Sequence, residues 1–219
     1  MGQDGLARLR EAADALAQEL LLIKSSLDTY CIIGLNASRI SSGKLMFGHL
    51  QRLSLITVAL GLAKVFERVK EGGYELCSVT GVWRLAKLAP IEDLRTAHEF
   101  SAKYGIKTQN DWIAEIDAVF AALRPTIARH MPLVTKARDT RIAHLQQAAS
   151  IDNLPSIAAF EELLKFGVCF HGFIKHAFLQ TNPHPILSDK YVASSLCSVL
   201  KLVGVDNVVT EFPSTAPVS

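Results

Sequence analysis

The sequence predicts an all-α fold, a single bundle of about six or seven helices. Apolar residues recur at three- and four-residue steps through most of the 219 residues, the spacing that places them on one face of an amphipathic helix. The alternating pattern of β-strands is scarce, and Val208-Val209 is the one weak candidate. Because no internal repeat and no linker divides the chain, we expect one domain over residues 1–205.

The first two helices are predicted from apolar periodicity and from the residues that end it. The first is expected over residues 6–27, and the pattern allows it to continue to Leu35. Residues 36–44 are rich in Ser and Gly and are predicted as a connection. The second helix is expected over residues 45–70, ended by Gly72-Gly73.

Capping residues and prolines predict the next elements. Ser78 is a preferred N-cap and predicts a short helix through Leu88, which Pro90 ends. A further helix is predicted over residues 92–104, closed by Gly105.

The second half of the chain is predicted as three helices and a tail. A long helix is expected over residues 110–149, and Pro125 and Pro132 inside it are predicted as kinks or breaks. The remaining segments are two helices over residues 155–180 and 188–203, and a flexible tail over residues 206–219.

Composition excludes several classes of protein. A hydrophobic fraction of 49% with 20% charged residues is incompatible with a disordered chain. The net charge of +2 is too small for a surface that coats nucleic acid, so a site for a polyanion must be local. The longest apolar stretch, residues 53–66, is interrupted by polar residues and is too short for a membrane span, and the first ten residues do not resemble a signal peptide. We therefore expect a cytoplasmic protein with no membrane partner.

Neither nucleophilic nor metal-dependent chemistry is favoured by the sequence. The four cysteines are scattered in apolar helical surroundings without a Cys-x-x-Cys pair, so we expect buried, inert thiols. His171 and His176 are five residues apart and do not share a helix face, as a metal-binding pair would. We expect neither a metal nor another cofactor.

The segment 138–144 carries the strongest functional signal in the chain. Arg138 precedes His144 by six residues, but the same spacing separates Arg124 from His130, so spacing alone does not select a site. Pro125 is expected to break the helical geometry that the earlier pair would need, whereas residues 138–144 contain no helix breaker.

A helical wheel gives a physical reason for choosing segment 138–144. At about 100° per residue, the apolar residues between Leu133 and Ala149 cover half of the circumference, and Arg138, Arg141 and His144 fall within that half. Charged groups on a core-facing stripe are costly unless they are paired or solvated by a cleft. In the alternative without a functional site, the arginines extend from the edge of the stripe into solvent and His144 is a hydrogen-bonded core histidine. A polar cleft between helices or subunits accounts for all three residues together.

In this segment Arg138-Asp139 is followed by Ala143-His144. This residue pattern resembles the motif of the HEPN superfamily, which includes many metal-independent ribonucleases. Residues 20–150 are further similar to the abortive-infection branch of that superfamily, prokaryotic proteins tied to phage defence or toxin–antitoxin systems. The similar stretches are 27–36, 49–54, 62–67 and 74–79. The helices predicted over residues 155–203 lie outside the similarity.

The resemblance implies a HEPN-like helical bundle with an RNA-cleaving site at a homodimer interface. Arg138 and His144 would be catalytic, with Asp139 in an orienting role, and the RNA 2′-hydroxyl would attack its own phosphodiester and leave a cyclic phosphate. Arg141 and Lys136 would bind RNA, since residues 124–144 contain five Lys or Arg against one Asp. The implied partners are RNA, a second copy of the chain, and a cognate antitoxin or nucleotidyltransferase.

Two alternatives stay open at this point. A HEPN module without catalytic activity would bind a nucleotide, RNA or a partner protein through the same residues. The other alternative is a helical interaction protein in which the motif occurs by chance.

Overall fold

The computed structural model describes residues 2–67, 78–90, 105–139, 155–179 and 186–211, and the structural statements below refer to these residues. Of them, 82% are helical and none is in a β-strand, which confirms the predicted all-α class. The six α-helices among them are α1 (Gly2–Asn36), α2 (Lys44–Val65), α3 (Val79–Leu88), α4 (Gln109–Ala137), α5 (Ile157–Ile174) and α6 (Tyr191–Leu202). A π-helical turn, Lys175–Leu179, follows α5, and a 3-10 turn, Ile186–Ser188, precedes α6. The helix predicted over residues 92–104 lies outside the described residues.

Helix α1 is the central element of the bundle. It begins earlier and ends later than the predicted 6–27, and it contacts α2, α3, α5 and α6. Its core-facing stripe consists of fully or nearly fully buried residues at helical spacing, namely Leu9, Ala13, Leu16, Leu20, Ile23 and Leu27. Burial of a leucine or isoleucine side chain contributes about 1.5–3 kcal/mol, so this stripe is a major source of stability.

Helix α2 ends five residues earlier than predicted. It begins after Gly43, whose positive φ of 71° suits glycine, and it ends where Phe66 leaves the helical conformation. The ring of Phe66 is buried edge-on against Phe166 of α5, with 5.4 Å between the ring centroids. The helix therefore ends at a buried aromatic contact, ahead of the glycines that the sequence analysis identified.

By length and composition alone, α2 is the one helix among the described residues that could cross a membrane. The expected absence of a span was based on residues 53–66, whereas the apolar helix begins at Lys44. One side of α2 is buried in the bundle through Phe47, Val58 and Leu62, and its other side is exposed.

Side-chain caps fix the starts of α3, α4 and α5. The Ser78 hydroxyl accepts a hydrogen bond from the Gly81 amide at 3.1 Å, as its predicted role requires. Thr108 and Asp111 form a capping box that starts α4 at Gln109. The Ser156 hydroxyl caps α5 by accepting from the Ala159 amide at 3.1 Å.

Helix α4 continues through Pro125 and Pro132, so of the kinks or breaks predicted at these prolines, breaks do not occur. A proline cannot donate to the carbonyl four residues earlier, which here belongs to Ala121 or Ala128. Both alanines and both prolines are exposed, so water can reach the carbonyls that lose their helical partner.

The start of the predicted flexible tail is attached to α1. The buried Asn36 side chain donates to the Val209 carbonyl at 2.8 Å and accepts from the Val209 amide at 3.0 Å. Arg39 also donates to the Asn207 carbonyl. Residues 207–209 are therefore hydrogen-bonded to the bundle rather than free.

His171 of α5 is buried in the core without a hydrogen bond at either ring nitrogen. Burial lowers its pKa from 6.5 to about 4, and the nearby Lys175 charge acts in the same direction. The charged imidazolium is thus disfavoured in the folded chain.

Acidification is expected to destabilise the protein through His171. Because the pKa is lower in the folded chain than in the unfolded one, the contribution of neutral His171 is complete above pH 6.5 and is lost as the pH falls toward 4. The loss in the free energy of unfolding reaches about 3 kcal/mol. Urea denaturation at pH 7 and pH 4.5 gives the free energy of unfolding of the wild type and of His171→Phe. The contribution of His171 is the amount by which acidification lowers this free energy more in the wild type than in the variant.

His49→Gln, at an exposed histidine of α2, should keep the wild-type pH dependence. An identical pH dependence for wild type and His171→Phe would contradict the assignment to His171.

Candidate functional site

Arg138 lies at the C-terminal end of α4, on the side that faces the core. The buried residues of α4 include Val134 and Ala137, which are four and one residues before it. Arg138 keeps helical dihedral angles, with φ −57° and ψ −53°, yet 37% of its side chain is exposed. The end of the α-helix therefore brings a guanidinium from the core-facing side to the surface.

Asp139 holds this guanidinium. Arg138 Nε donates to Asp139 Oδ1 at 2.7 Å, and this hydrogen bond is the main cause that raises the pKa of Arg138. The carboxylate charges of Asp139 and of Glu67, which follows the end of α2, act in the same direction. Arg138 is thus a permanent cation with one fixed partner and with donors left for a ligand.

The structure does not place Lys136 beside Arg138. Two residues along a helix correspond to about 200°, and Lys136 is exposed on the opposite side of α4. Arg141 and His144 lie outside the described residues. Of the predicted site residues, the structure therefore brings together Arg138 and Asp139.

The competing pair, Arg124 and His130, lies on the same uninterrupted helix. The argument that Pro125 prevents a helical geometry for this pair is therefore wrong. His130 Nε2 lies 2.7 Å from Glu162 Oε2 of α5, and only 13% of the histidine side chain is exposed. This contact joins α4 to α5, and the spacing of residues in the sequence could not predict it.

A polar network between α3 and α4 was not predicted. Asp117 accepts hydrogen bonds from Trp83 Nε1 at 3.0 Å and from Lys87 Nζ at 2.8 Å. Lys87 Nζ also lies 4.6 Å from the centroid of a Trp83 ring, which stacks on Phe120. Each charge in the network has a partner, so it fixes the two helices relative to each other. No sequence signal links residues that are 30 positions apart.

The thiols differ in exposure. Cys31 is partly buried, and burial raises its pKa to about 11, which keeps the thiol protonated and unreactive. Cys169 is exposed, so the prediction of a buried thiol is wrong there. The apolar neighbours of Cys169 in sequence lie on the other faces of α5. In the part of the chain that the structure describes, no group of three His, Cys, Asp or Glu side chains could hold a metal ion.

Comparison with family models, curated proteins and solved structures finds no match to this chain.

Removal of the Arg138–Asp139 pair is expected to leave folding intact. More than a third of each side chain is exposed, and exposed ion pairs contribute about 0–1 kcal/mol. Arg138→Ala should lower the free energy of unfolding by less than about 1 kcal/mol, as measured by urea denaturation.

Asn36→Ala is the comparison, because it removes a buried side chain with hydrogen bonds to Ile32 and Val209 and should cost about 1–3 kcal/mol. A loss above about 2 kcal/mol for Arg138→Ala would make the pair a structural element rather than a site.

Proposed function

We propose that the chain is a metal-independent endoribonuclease of the HEPN type, with Arg138 and His144 as its catalytic residues. The observation that carries the proposal is the position of Arg138. Its guanidinium lies on the core-facing side of α4, reaches the surface at the helix end, and is held there by Asp139. A guanidinium that is already oriented and accessible to solvent can donate hydrogen bonds to a phosphate oxygen without further reorganisation.

The proposed reaction is an internal transesterification. The 2′-oxygen of a ribose bonds to the adjacent phosphorus as its proton is removed, and the 5′-oxygen of the next nucleotide leaves with a proton. His144 exchanges these protons, since an imidazole with a pKa near 6.5 serves as acid and base near neutral pH. Arg138 stabilises the negative charge that develops on the phosphate oxygens, and the products carry a 2′,3′-cyclic phosphate and a 5′-hydroxyl.

Charge along α4 supports a nucleic-acid substrate. Between Asp117 and Asp139 the chain has four Lys or Arg and no carboxylate, and Arg124, Arg129 and Lys136 are exposed. Cations in this arrangement attract a phosphate backbone without reading its sequence, so binding should be salt-sensitive. In the proposal, Lys136 binds RNA on the far side of α4 from Arg138, and Arg141 binds it next to the catalytic pair.

The proposal includes a cytoplasmic homodimer in which residues 133–149 of two copies approach each other. Leu133 and Lys136, at the start of that segment, are exposed. A role as the toxin of a toxin–antitoxin or phage-defence system, restrained by a cognate antitoxin or nucleotidyltransferase, follows from the same resemblance.

The purified protein is expected to cleave single-stranded RNA in excess EDTA and to leave 2′,3′-cyclic phosphate ends. Arg138→Ala and His144→Ala should each lower the cleavage rate by at least about 100-fold, because each removes a group that acts in the transition state. Electrophoresis of labelled RNA gives the rate, and mass spectrometry identifies the new ends.

Arg124→Ala and His130→Gln form the matched control pair, since the two residues have the same spacing in the sequence. His130→Gln should retain cleavage, and Arg124→Ala, which removes a cation that attracts the phosphate backbone, should weaken RNA binding but retain turnover at saturating RNA. Activity that requires Mg²⁺ or Mn²⁺, or that disappears only in the control pair, would contradict the assignment. RNA binding by the wild type without cleavage would instead favour the non-catalytic HEPN module.

The two arginines of the motif are expected to differ in their kinetic effects. Arg138→Lys keeps the charge but loses the planar fork, so it should lower turnover strongly and change RNA affinity little. Arg141→Ala should weaken RNA binding but retain turnover at saturating RNA. It should also reduce the slope of log affinity against log salt concentration by about one. Single-turnover cleavage and filter binding at several salt concentrations separate the two. The roles are reversed if Arg138→Lys keeps near-full turnover while Arg141→Ala abolishes it.

A further inference from the structure

The end of α1 holds a buried polar side chain that binds the C-terminal segment of the chain. Asn36 is fully buried, and its amide group donates to the Ile32 carbonyl of the same helix at 2.8 Å. The same amide group donates to the Val209 carbonyl at 2.8 Å, and Asn36 Oδ1 accepts from the Val209 amide at 3.0 Å. One side chain, oriented from within α1, thus satisfies both main-chain groups of a single distant residue.

Arg39 extends this contact by two residues along the C-terminal segment. Its guanidinium donates to the Asn207 carbonyl. In an extended segment, the main-chain groups of residues two apart point to the same side. Asn36 and Arg39 therefore bind one edge of residues 207–209. We call residues 207–211 the strap.

The residue between the two bonded positions supplies an apolar contact. Val208 is partly buried and packs against an apolar cluster of α1, α2 and α6 that includes Ile33, Phe47 and Leu200. Within the described residues, the strap is thus held by main-chain hydrogen bonds and by the valine between them. The strap residues that are exposed are Asn207, Thr210 and Glu211.

Proteins recognise extended peptides in this way, because main-chain hydrogen bonds supply the affinity and a contact for an alternate side chain supplies the specificity. The hydrogen bond to Ile32 orients Asn36 independently of the strap, so the site is preorganised for a peptide. Departure of the strap would leave Asn36 Oδ1 without its donor. The N–H of any extended peptide can take that place.

We propose that the end of α1 is a binding site for an extended peptide, and that the strap occupies it until an extended segment of a partner protein displaces it. The partner segment has an apolar residue at the position of Val208 and a residue other than proline at the position of Val209, where an N–H is required. The residue at the position of Asn207 is free to vary, because that side chain is exposed. This site is separate from Arg138, and the proposal is independent of the ribonuclease proposal.

Val209→Pro in the full chain opens the site, since proline lacks the N–H from which Asn36 accepts. The probe is a fluorescent peptide with the sequence of residues 206–213, and fluorescence anisotropy measures its binding. Because the strap occupies the site in the wild type, Val209→Pro should bind the peptide at least about tenfold more tightly. Thr210→Pro is the matched control. Its amide makes no hydrogen bond within the described part of the chain, so this variant should bind no more tightly than the wild type.

Changes in the peptide and in Arg39 test how the peptide is recognised. A peptide with Val209→Pro or Val208→Asp should lose its binding to the opened chain, whereas a peptide with Asn207→Ala should retain it. Arg39→Ala, at an exposed residue, should weaken binding to the opened chain about fivefold, because it removes one hydrogen bond.

Hydrogen exchange tests displacement in the wild-type chain itself. Excess unlabelled peptide should accelerate the exchange of the Val209 amide in the ¹⁵N-labelled protein, and an exchange rate that no peptide concentration changes would overturn the proposal. Circular dichroism checks the folding of Val209→Pro, which lies outside the helices. A folded Val209→Pro that does not bind the peptide overturns the proposal, and so does equal binding by the wild type and both proline variants. Binding of the peptide with Val209→Pro would also overturn it, because that contact would not be made through Asn36.

Discussion

The close approach of two helices to α1 is the constraint on which the rest of the bundle depends. A Cβ at Gly61 of α2 would lie 2.6 Å from Ile23 Cγ1, and one at Gly167 of α5 would lie 2.7 Å from Leu20 Cδ2. Ile23 and Leu20 are fully buried, so an added Cβ would force them to shift within the packed core. Glycine at these two positions therefore sets the depth at which α2 and α5 pack on the central helix.

That packing also determines which side chains of α2 are exposed and which residues lie near Arg138. With one side of α2 against α1, an apolar stripe from Met46 to Leu60 remains exposed, and the end of α2 brings Glu67 near Arg138. The exposed apolar side of α2 and the surroundings of Arg138 thus depend on the placement of the same helix. A bulkier residue at Gly61 would disturb both, even though it lies in neither.

The parts of the fold that depend on local sequence could be predicted, and those that depend on distant contacts could not. Apolar periodicity predicted α1 and α6, and the Ser78 hydroxyl caps α3 as its sequence position indicates. The end of α2 coincides with the contact between Phe66 and Phe166, which lies 100 positions away, and the tolerance of Pro125 depends on solvent at Ala121. In the candidate site, the motif identifies the adjacent residues Arg138 and Asp139. The partner of His130, Glu162, lies on another helix, so the spacing of residues along α4 could not predict this contact.

Growth of cells after induction tests the central claim, that the pair Arg138 and His144 rather than Arg124 and His130 makes this bundle an RNA-cleaving enzyme. Wild type and His130→Gln are expected to arrest growth, while His144→Ala, produced to the same level, is expected to permit it. Arrest by His144→Ala as strong as by the wild type would contradict the account. So would normal growth with His130→Gln, because it would move the active histidine from residue 144 to residue 130.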